Sequence, residues 1–127
     1  MGKYGEAAVQ AVTLFREGAK TDIAEAWETA VARIFPGSTS LQDKGCPKSA
    51  FLGLCSDGVL VDIPAGDYCW SNKNKEYAIK AVDALKANRF LVTQPELLWK
   101  KVAGPSKSHN HQMDVVVALW NAGLVRD

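Results

Sequence analysis

The stretch AFLGLCSDGVLV, residues 50–61, is matched by a second stretch, VVVALWNAGLVR, at residues 115–126. Both stretches are apolar, and the match places Gly58 over Gly123. Glycine often follows the end of a helix, because it adopts the left-handed conformation at no steric cost. The match predicts that one helix and the turn after it occur twice in the chain.

The order of the earlier helices also repeats. EAAVQAV, which starts at Glu6, resembles EYAIKAV, which starts at Glu76. The helix after the first stretch contains Trp27, and the helix after the second contains Trp99. The three matches are offset by 70, 72 and 65 positions, which ordinary changes of loop length explain. Two trihelical units about an approximate twofold axis are therefore expected, although helices rich in alanine and valine also match by chance. The expected units are residues 4–61 and 74–126.

Apolar side chains recur at helical spacing along most of the chain. This periodicity predicts an all-α fold of six helices, of which those at 47–57 and 110–122 are the most buried. VLVDIPAGDYCW, residues 59–70, is expected to be a short strand or an extended crossing segment, with Trp70 at a recognition surface. The residues expected to face the core are Tyr4, Ala8, Val12 and Phe15, then Ile23, Trp27, Ala30 and Ile34, then Ala78, Ala81, Val82 and Leu85, and finally Met113, Val116, Val117 and Trp120.

Capping residues and helix breakers predict where these helices begin and end. Thr21 is the expected N-cap of the second helix and Ser71 that of the fourth. Proline lacks the N–H group that a first helical residue leaves unbonded, so Pro47 and Pro95 are expected to open the third and fifth helices. PGSTSLQDKG, residues 36–45, is predicted to be a loop. The other expected ends are Gly18, Ser56, Thr93, Gly104, Asn110 and Ala122.

Length and composition indicate a single compact domain spanning residues 1–127. Of these residues 47% are apolar, which is enough for one core. No apolar run approaches the roughly 20 residues that span a bilayer, and MGKYGEAAVQ at the N-terminus lacks the apolar core of a signal peptide. A cytoplasmic protein without membrane contact is expected. The three cysteines, which include no CxxC pair, are expected to be free thiols.

The net charge of +1 conceals an uneven distribution of charge. Residues 71–111 carry eight basic and three acidic side chains, a net charge of +5, whereas each other segment is slightly acidic. A basic segment of this kind is suited to contact phosphate groups, although lysines on a helix surface are more often simply solvated.

Three helices are expected to begin beside lysine residues. Free backbone N–H groups and the positive end of the helix dipole favour an anion at each of these starts. The leading prediction is a non-enzymatic binding module for an anionic partner such as nucleic acid, although lysines and short polar residues also flank ordinary helix starts. The predicted anion-binding residues are Lys44, Lys48, Ser49, Lys73, Lys75, Lys107, Ser108, His109, Asn110 and His111.

KGCPKSAFLGLC, residues 44–55, supports a second hypothesis, a thiol-dependent enzyme. Cys46 is expected at a helix start, where the dipole and the lysines stabilise a thiolate, and His109 or His111 would supply the catalytic base. A homodimer or protein-interaction module is a third hypothesis. The cysteines and histidines lack the short ligand spacing of structural zinc sites, so no metal and no cofactor is predicted.

Three segments resemble a family of small bacterial proteins of about this length that is classed as a domain of unknown function. They are KGCPKSAFLGLC at residues 44–55, SNKNKEYAIKAV at 71–82 and HNHQMDVVVALWNAGL at 109–124. The resemblance covers nearly the whole chain. It implies a bacterial cytosolic origin and brings no activity, so no catalytic residue is assigned through it.

Overall fold

The computed structural model describes residues 2–69, 71–104 and 111–126. These residues form the predicted all-α fold of six long helices, together with a short α-helix and a 3₁₀ helix that the pattern did not predict. None of the helices in these ranges has both the length and the apolar character needed to span a bilayer. In chain order the elements are α1 (Lys3–Arg16), α2 (Ile23–Ile34), α3 (Thr39–Gln42), α4 (Gly45–Ser56), α5 (Asn72–Ala87), the 3₁₀ helix (Arg89–Thr93), α6 (Pro95–Ala103) and α7 (Gln112–Asn121).

The helices enclose one hydrophobic core. α1 packs against α2 and α7, and α4 packs against α5 and α7. α4 and α7 were predicted to be the most buried helices, and more than half of the residues of each are buried. The rings of Trp27 and Phe51, both fully buried, stack at the centre of the core with their centroids 5.2 Å apart. Burial of apolar side chains from every long helix therefore holds the fold together.

The N-cap of α2 is Asp22, so the prediction of Thr21 is wrong. The Asp22 carboxylate accepts a hydrogen bond from Ala24 N at 2.9 Å. A carboxylate carries a full charge and interacts more strongly with the helix dipole than a hydroxyl does. The predicted N-cap of α5 is confirmed, because Ser71 Oγ accepts a hydrogen bond from Asn74 N at 3.3 Å.

α4 begins two residues earlier than predicted. Its first residue is Gly45, which makes Cys46 the second residue and Pro47 the third. A proline is tolerated there because backbone N–H groups in the first turn of a helix have no partner within the helix. α7 begins at Gln112, and the predicted start at Asn110 lies outside the described residues.

Two short helices lie where a loop or no element was predicted. The predicted loop at 36–45 contains α3, in which Ser38 Oγ accepts a hydrogen bond from Leu41 N at 3.4 Å. The 3₁₀ helix is capped by Asn88, whose Oδ1 atom accepts a hydrogen bond from Phe90 N at 3.2 Å. Helices of four or five residues are too short to show the apolar periodicity on which the prediction rests.

Within the segment VLVDI, Leu60 pairs with the chain after α7 through a single bridge, and Val61 and Asp62 then form a turn in which Asp62 has a φ angle of 63°. Leu60 and Val125 form this antiparallel bridge, and the described residues include no named strand. The predicted short strand is therefore not formed by these residues, and the predicted extended segment is interrupted by this turn. The two backbone hydrogen bonds of the bridge run from Val61 N to Leu124 O and from Arg126 N to Val59 O, each 2.8 Å long.

The turns after α4 and α7 have the same backbone geometry, 65 positions apart. Gly58 has a φ angle of 71° and Gly123 one of 73°, so both adopt the left-handed conformation that ends many helices. Leu60 and Val125, which form the bridge, are also 65 positions apart, as expected for a pair of equivalent residues that meet on a twofold axis. These features support the two-unit organisation, which stays a prediction. Equivalent 3.1 Å hydrogen bonds run from Val59 N to Leu54 O and from Leu124 N to Leu119 O.

A close approach of two helices also occurs twice. A Cβ atom on Gly53 of α4 would lie 2.8 Å from the Cα atom of Lys75 in α5. A Cβ atom on Gly5 of α1 would lie 2.6 Å from the Cβ atom of Ala118 in α7. Gly53 and Ala118 are 65 positions apart, and Gly5 and Lys75 are 70 apart. With these offsets, the contact of α4 with α5 corresponds to the contact of α7 with α1. The glycine lies on α4 in the first contact and on α1, the counterpart of α5, in the second.

Candidate functional site

A basic cavity of about 750 Å³ lies where α5 and α7 end. The described lining residues include three cations and no carboxylate. The other described lining residues are valines, one tryptophan and one glycine, so the cations border an apolar surface. The lining residues that matter for charge and shape are Lys86, Arg89, Trp120, Gly123, Val125 and Arg126.

Two of the cations are positioned by the end of α5 and by the 3₁₀ helix that follows. Lys86 lies in the last turn of α5, where a cation interacts favourably with the helix dipole. Asn88 then ends α5 and caps the 3₁₀ helix. A 3₁₀ helix has three residues per turn, so Arg89 and Val92 lie on the same side and both line the cavity. The buried side chain of Leu91 anchors this short helix to the core.

The third cation, Arg126, is held by the segment VLVDI. Its Nε atom donates a hydrogen bond to Leu60 O at 3.1 Å, and its backbone N–H bonds to Val59 O. A guanidinium group has five N–H donors, so the bond to Leu60 leaves most of them for an external acceptor. The bridge after α7 therefore fixes a guanidinium group at the cavity wall, and guanidinium groups are suited to bidentate contact with carboxylates and phosphates.

Trp120 was predicted to face the core, and it packs against the core with only part of its side chain. Met113, Val116 and Val117 are buried as expected, whereas Trp120 is half-buried and forms part of the cavity wall. It lies in the last turn of α7, close to the end of the packed region. Next to Arg89 in the chain, Phe90 is 81% exposed. Aromatic side chains thus lie beside the cations at this end of the molecule.

Lys86 and Arg89 differ from Arg16, Lys48 and Lys75, each of which has a carboxylate partner. Neither Lys86 nor Arg89 forms an ion pair with any residue in the described ranges. By contrast, Arg16 Nε lies 3.0 Å from Asp62 Oδ2 at the end of α1. Cations that have no counter-ion in the described part of the chain produce a positive potential that attracts an anion.

Two of the predicted anion-binding lysines already have carboxylate partners. Lys48 Nζ lies 2.6 Å from Glu28 Oε1, and Lys75 Nζ lies 3.8 Å from Asp57 Oδ1. Lys44 is the N-cap of α4. Ion pairing offsets the positive charge at these two helix starts, which makes them weaker anion sites than the sequence indicates.

The structure brings two of the predicted helix starts together. Gln112 at the start of α7 is 3% exposed, and its Nε2 atom donates a hydrogen bond to Asn74 Oδ1 in the first turn of α5. The start of α4 contributes Ser49, whose carbonyl oxygen accepts a hydrogen bond from Cys69 Sγ at 3.3 Å. Lys73 lies in the first turn of α5 and is exposed. The predicted residues Lys107, Ser108, His109, Asn110 and Trp70 lie outside the described residues.

The residues proposed for thiol chemistry occupy different environments. Cys46 is half-buried in the first turn of α4. His111 Nδ1 lies 2.9 Å from Asp114 Oδ2, and the imidazole packs against the ring of Tyr4. Cys55 is fully buried, and this burial raises its pKa far above that of a free thiol. The pairing of Cys46 with a histidine stays a prediction. Across the described ranges, no group of three metal-ligating side chains is placed to hold an ion.

The sequence interpretation missed the cavity residues because no short motif joins them. Lys86 and Arg89 belong to the basic segment 71–111, so its charge excess was the one available signal. Trp120 and Arg126 lie more than 30 positions further along the chain and reach the cavity only through the packing of α7. The match between the two turns says nothing about which of them lines a cavity.

Comparison with known proteins identifies the family of the chain and indicates no activity. No curated protein and no solved structure matches the chain. One family model, described as a family of unknown function (DUF6979), matches residues 1–126. The predicted resemblance to a domain of unknown function is confirmed by this match. The chain belongs to this family of unknown function.

Proposed function

We propose that this protein is a binding module for an anionic partner and that the basic cavity holds the anion. The observation that carries the proposal is the grouping of Lys86, Arg89 and Arg126 around one cavity with no carboxylate among its described lining residues. Three cations placed together repel one another, and an anion placed between them removes that repulsion.

The three cations together supply enough energy for selective binding. A solvent-exposed ion pair contributes up to about 1 kcal/mol, so three contribute up to about 3 kcal/mol, which is at most about 100-fold in affinity. The valines and Trp120 in the wall reduce water contact on one side of the anion, which strengthens these interactions. The contribution is electrostatic and is therefore expected to fall with rising salt concentration.

The cavity is a better supported location than the helix starts. Lys86 and Arg89 have no carboxylate partner in the described part of the chain, whereas Lys48 and Lys75 each have one. Nucleic acid contact through the starts of α4, α5 and α7 stays a prediction. A phosphate group of a nucleic acid and a carboxylate of a polypeptide both satisfy the charge of the cavity.

Charge reversal at the cavity, with a matched control, tests the proposal. The variant K86E/R89E reverses two cavity cations. The control K100E/K101E makes the same change of net charge on the exposed surface of α6, away from the cavity. The readout is the salt concentration at which each protein elutes from a heparin column. We expect the control to elute close to the wild type and K86E/R89E to elute at much lower salt.

Two results would count against the cavity. One is equal loss of retention in K86E/R89E and K100E/K101E, which would show a response to net charge alone. The other is loss of retention only in the variant K44E/K48E/K73E, which would place the anion at the helix starts. Circular dichroism of each variant confirms that it is folded, and light scattering on the same samples tests the homodimer hypothesis.

A further inference from the structure

In the first of the two predicted units, the place that corresponds to the basic cavity is filled by the chain itself. The basic cavity lies at the ends of α5 and α7, and the corresponding place lies at the ends of α1 and α4. Residues 62–68, here named the crossing segment, occupy that place after the bridge at Leu60. The first unit therefore shows what kind of group this scaffold holds.

The crossing segment is held by one charge and by apolar contacts. Its Asp62 carboxylate lies 3.0 Å from Arg16 Nε, and Ile63 is fully buried. Ala65 packs over the turn after α4, with its Cβ atom 3.3 Å from the position of a Cβ on Gly58. An acidic residue followed by an apolar one thus docks against a basic residue and a glycine turn.

The backbone of the crossing segment is held as well. Gly66 N donates a hydrogen bond to Ser56 O at 3.2 Å, and Tyr68 N donates one to Ser56 Oγ at 3.0 Å. The residue 65 positions after Ser56 is Asn121, which is exposed and carries a side-chain amide. Asn121 lines a neighbouring cavity between α1 and α7 rather than the basic cavity, so the contacts that Ser56 makes have no counterpart at the basic cavity among the described lining residues.

The corresponding surface of the second unit is uncovered. A Cβ atom on Gly123 would have no described atom within 4 Å, in contrast to Gly58. Val125 is half-buried and lines the cavity, whereas its bridge partner Leu60 is fully buried. Lys86, which is 70 positions after Arg16, has no carboxylate partner among the described residues. The glycine turn and the basic residue are both present, and no described atom lies within 4 Å of the Cβ position on Gly123.

We propose that the basic cavity is the docking site for an extended acidic peptide of a partner protein. A carboxylate of the peptide pairs with Lys86 and Arg89, and its next apolar side chain packs against Val125 and Trp120. This inference rests on the proposed anion-binding function and adds the class of partner. A polypeptide is favoured over nucleic acid because the corresponding place already holds a polypeptide. The three cations also surround one cavity, whereas a nucleic acid groove spreads them along a track.

The crossing segment itself supplies the probe. A synthetic peptide of residues 61–68, VDIPAGDY, is acetylated, amidated and labelled with fluorescein, and its polarisation is measured as the full-length protein is added. We expect saturable binding to the wild type and to K100E/K101E, and at least tenfold weaker binding to K86E/R89E. The peptide VNIPAGNY, which has no carboxylate side chain, is expected to bind at least tenfold more weakly than VDIPAGDY.

A further variant separates peptide recognition from simple attraction of charge. We expect Val125→Ala to weaken binding of VDIPAGDY several-fold and to leave elution from heparin unchanged, because the side chain that lines the cavity is uncharged. Equal binding of VDIPAGDY by Val125→Ala and wild type would contradict the proposed apolar contact.

A single-stranded oligothymidylate of eight nucleotides distinguishes this inference from the proposed function. If the oligonucleotide binds through Lys86 and Arg89 and the peptide does not, the peptide inference is wrong and the anion-binding proposal stands. If neither probe responds to K86E/R89E, both proposals fail. Equal affinity for VDIPAGDY and VNIPAGNY would also overturn the acidic peptide.

Discussion

The end of α4 and the end of α7 share a backbone and differ in what covers it. Both helices stop at a left-handed glycine, and the bridge between Leu60 and Val125 links the chains that follow. After α4 the crossing segment packs over the turn, whereas after α7 the turn borders a basic cavity. Two glycine turns of matching backbone geometry therefore differ in their surroundings, since one is covered by the chain and the other borders a basic cavity.

The side chains at equivalent positions follow this difference in covering. Cys55 and Leu60 are fully buried, while Trp120 and Val125, each 65 positions later, are half-buried in the cavity wall. The positions match in backbone geometry, so the difference lies in the packing around them. The large ring of Trp120 packs in part against the core and in part lines the cavity.

The largest expected effect is a difference in stability between substitutions at the two bridge residues, Leu60 and Val125. Leu60→Ala removes a fully buried side chain and is expected to lower the free energy of unfolding by about 3 kcal/mol. Val125→Ala removes a half-buried side chain that borders the cavity, and a loss of about 1 kcal/mol is expected. Urea denaturation of both variants measures the two losses. Equal losses would mean that the two turns are equally covered.

A second effect depends on the burial of Cys55, the counterpart of Trp120. Burial raises the pKa of Cys55, so the thiol stays protonated in the folded state while it ionises in the unfolded state above a pH of about 8.5. Its contribution to stability is therefore constant below that pH and is lost as the pH rises. A loss of about 2 kcal/mol is expected between pH 8 and pH 10.

Cys55→Ala provides the control for this pH dependence. The variant lacks the thiol, so its stability should fall less than that of the wild type over the same pH range. Burial also raises the pKa of Tyr4, but that hydroxyl is present in both proteins and cancels in the comparison. Parallel pH profiles for wild type and Cys55→Ala would contradict the burial of this thiol.

The smallest effect tests the correspondence of the two close helix contacts. Gly5→Ala and Gly53→Ala each place a Cβ atom under 3 Å from a neighbouring helix, which costs about 2 kcal/mol. The higher helix propensity of alanine offsets about 1 kcal/mol, so a net loss of about 1 kcal/mol is expected for each. Gly45→Ala, where nothing lies within 4 Å, should cause no loss. Thermal unfolding of the three variants measures this, and a loss confined to one of the two contact glycines would break the correspondence.

The helices were predictable because their apolar faces repeat over two turns or more. Ala78, Ala81, Val82 and Leu85 were placed correctly on the buried face of α5. Asp22 was missed as an N-cap because Thr21 beside it is also a good capping residue, and only the helix start decides between them. The 3₁₀ helix was missed because its five residues depend on one cap and one buried leucine.

The cavity was not predictable from the sequence, for a physical reason. Its cations come from the end of α5, the 3₁₀ helix and the chain after α7, which are brought together only by long-range packing. Lysine-rich helix starts are visible in the sequence, but the carboxylates of Glu28 and Asp57 that neutralise two of them lie far away in the chain. Charge pairing is a property of the folded state.

A nuclear magnetic resonance titration tests the central claim most directly. The backbone amides of the full-length protein are recorded as inorganic pyrophosphate is added, so that the two turns are compared in one sample. We predict saturable shifts at Arg89, Gly123 and Arg126 and none at Gly58, because only the second turn borders the basic cavity. Shifts confined to the start of α4, or equal shifts at Gly58 and Gly123, would contradict the account.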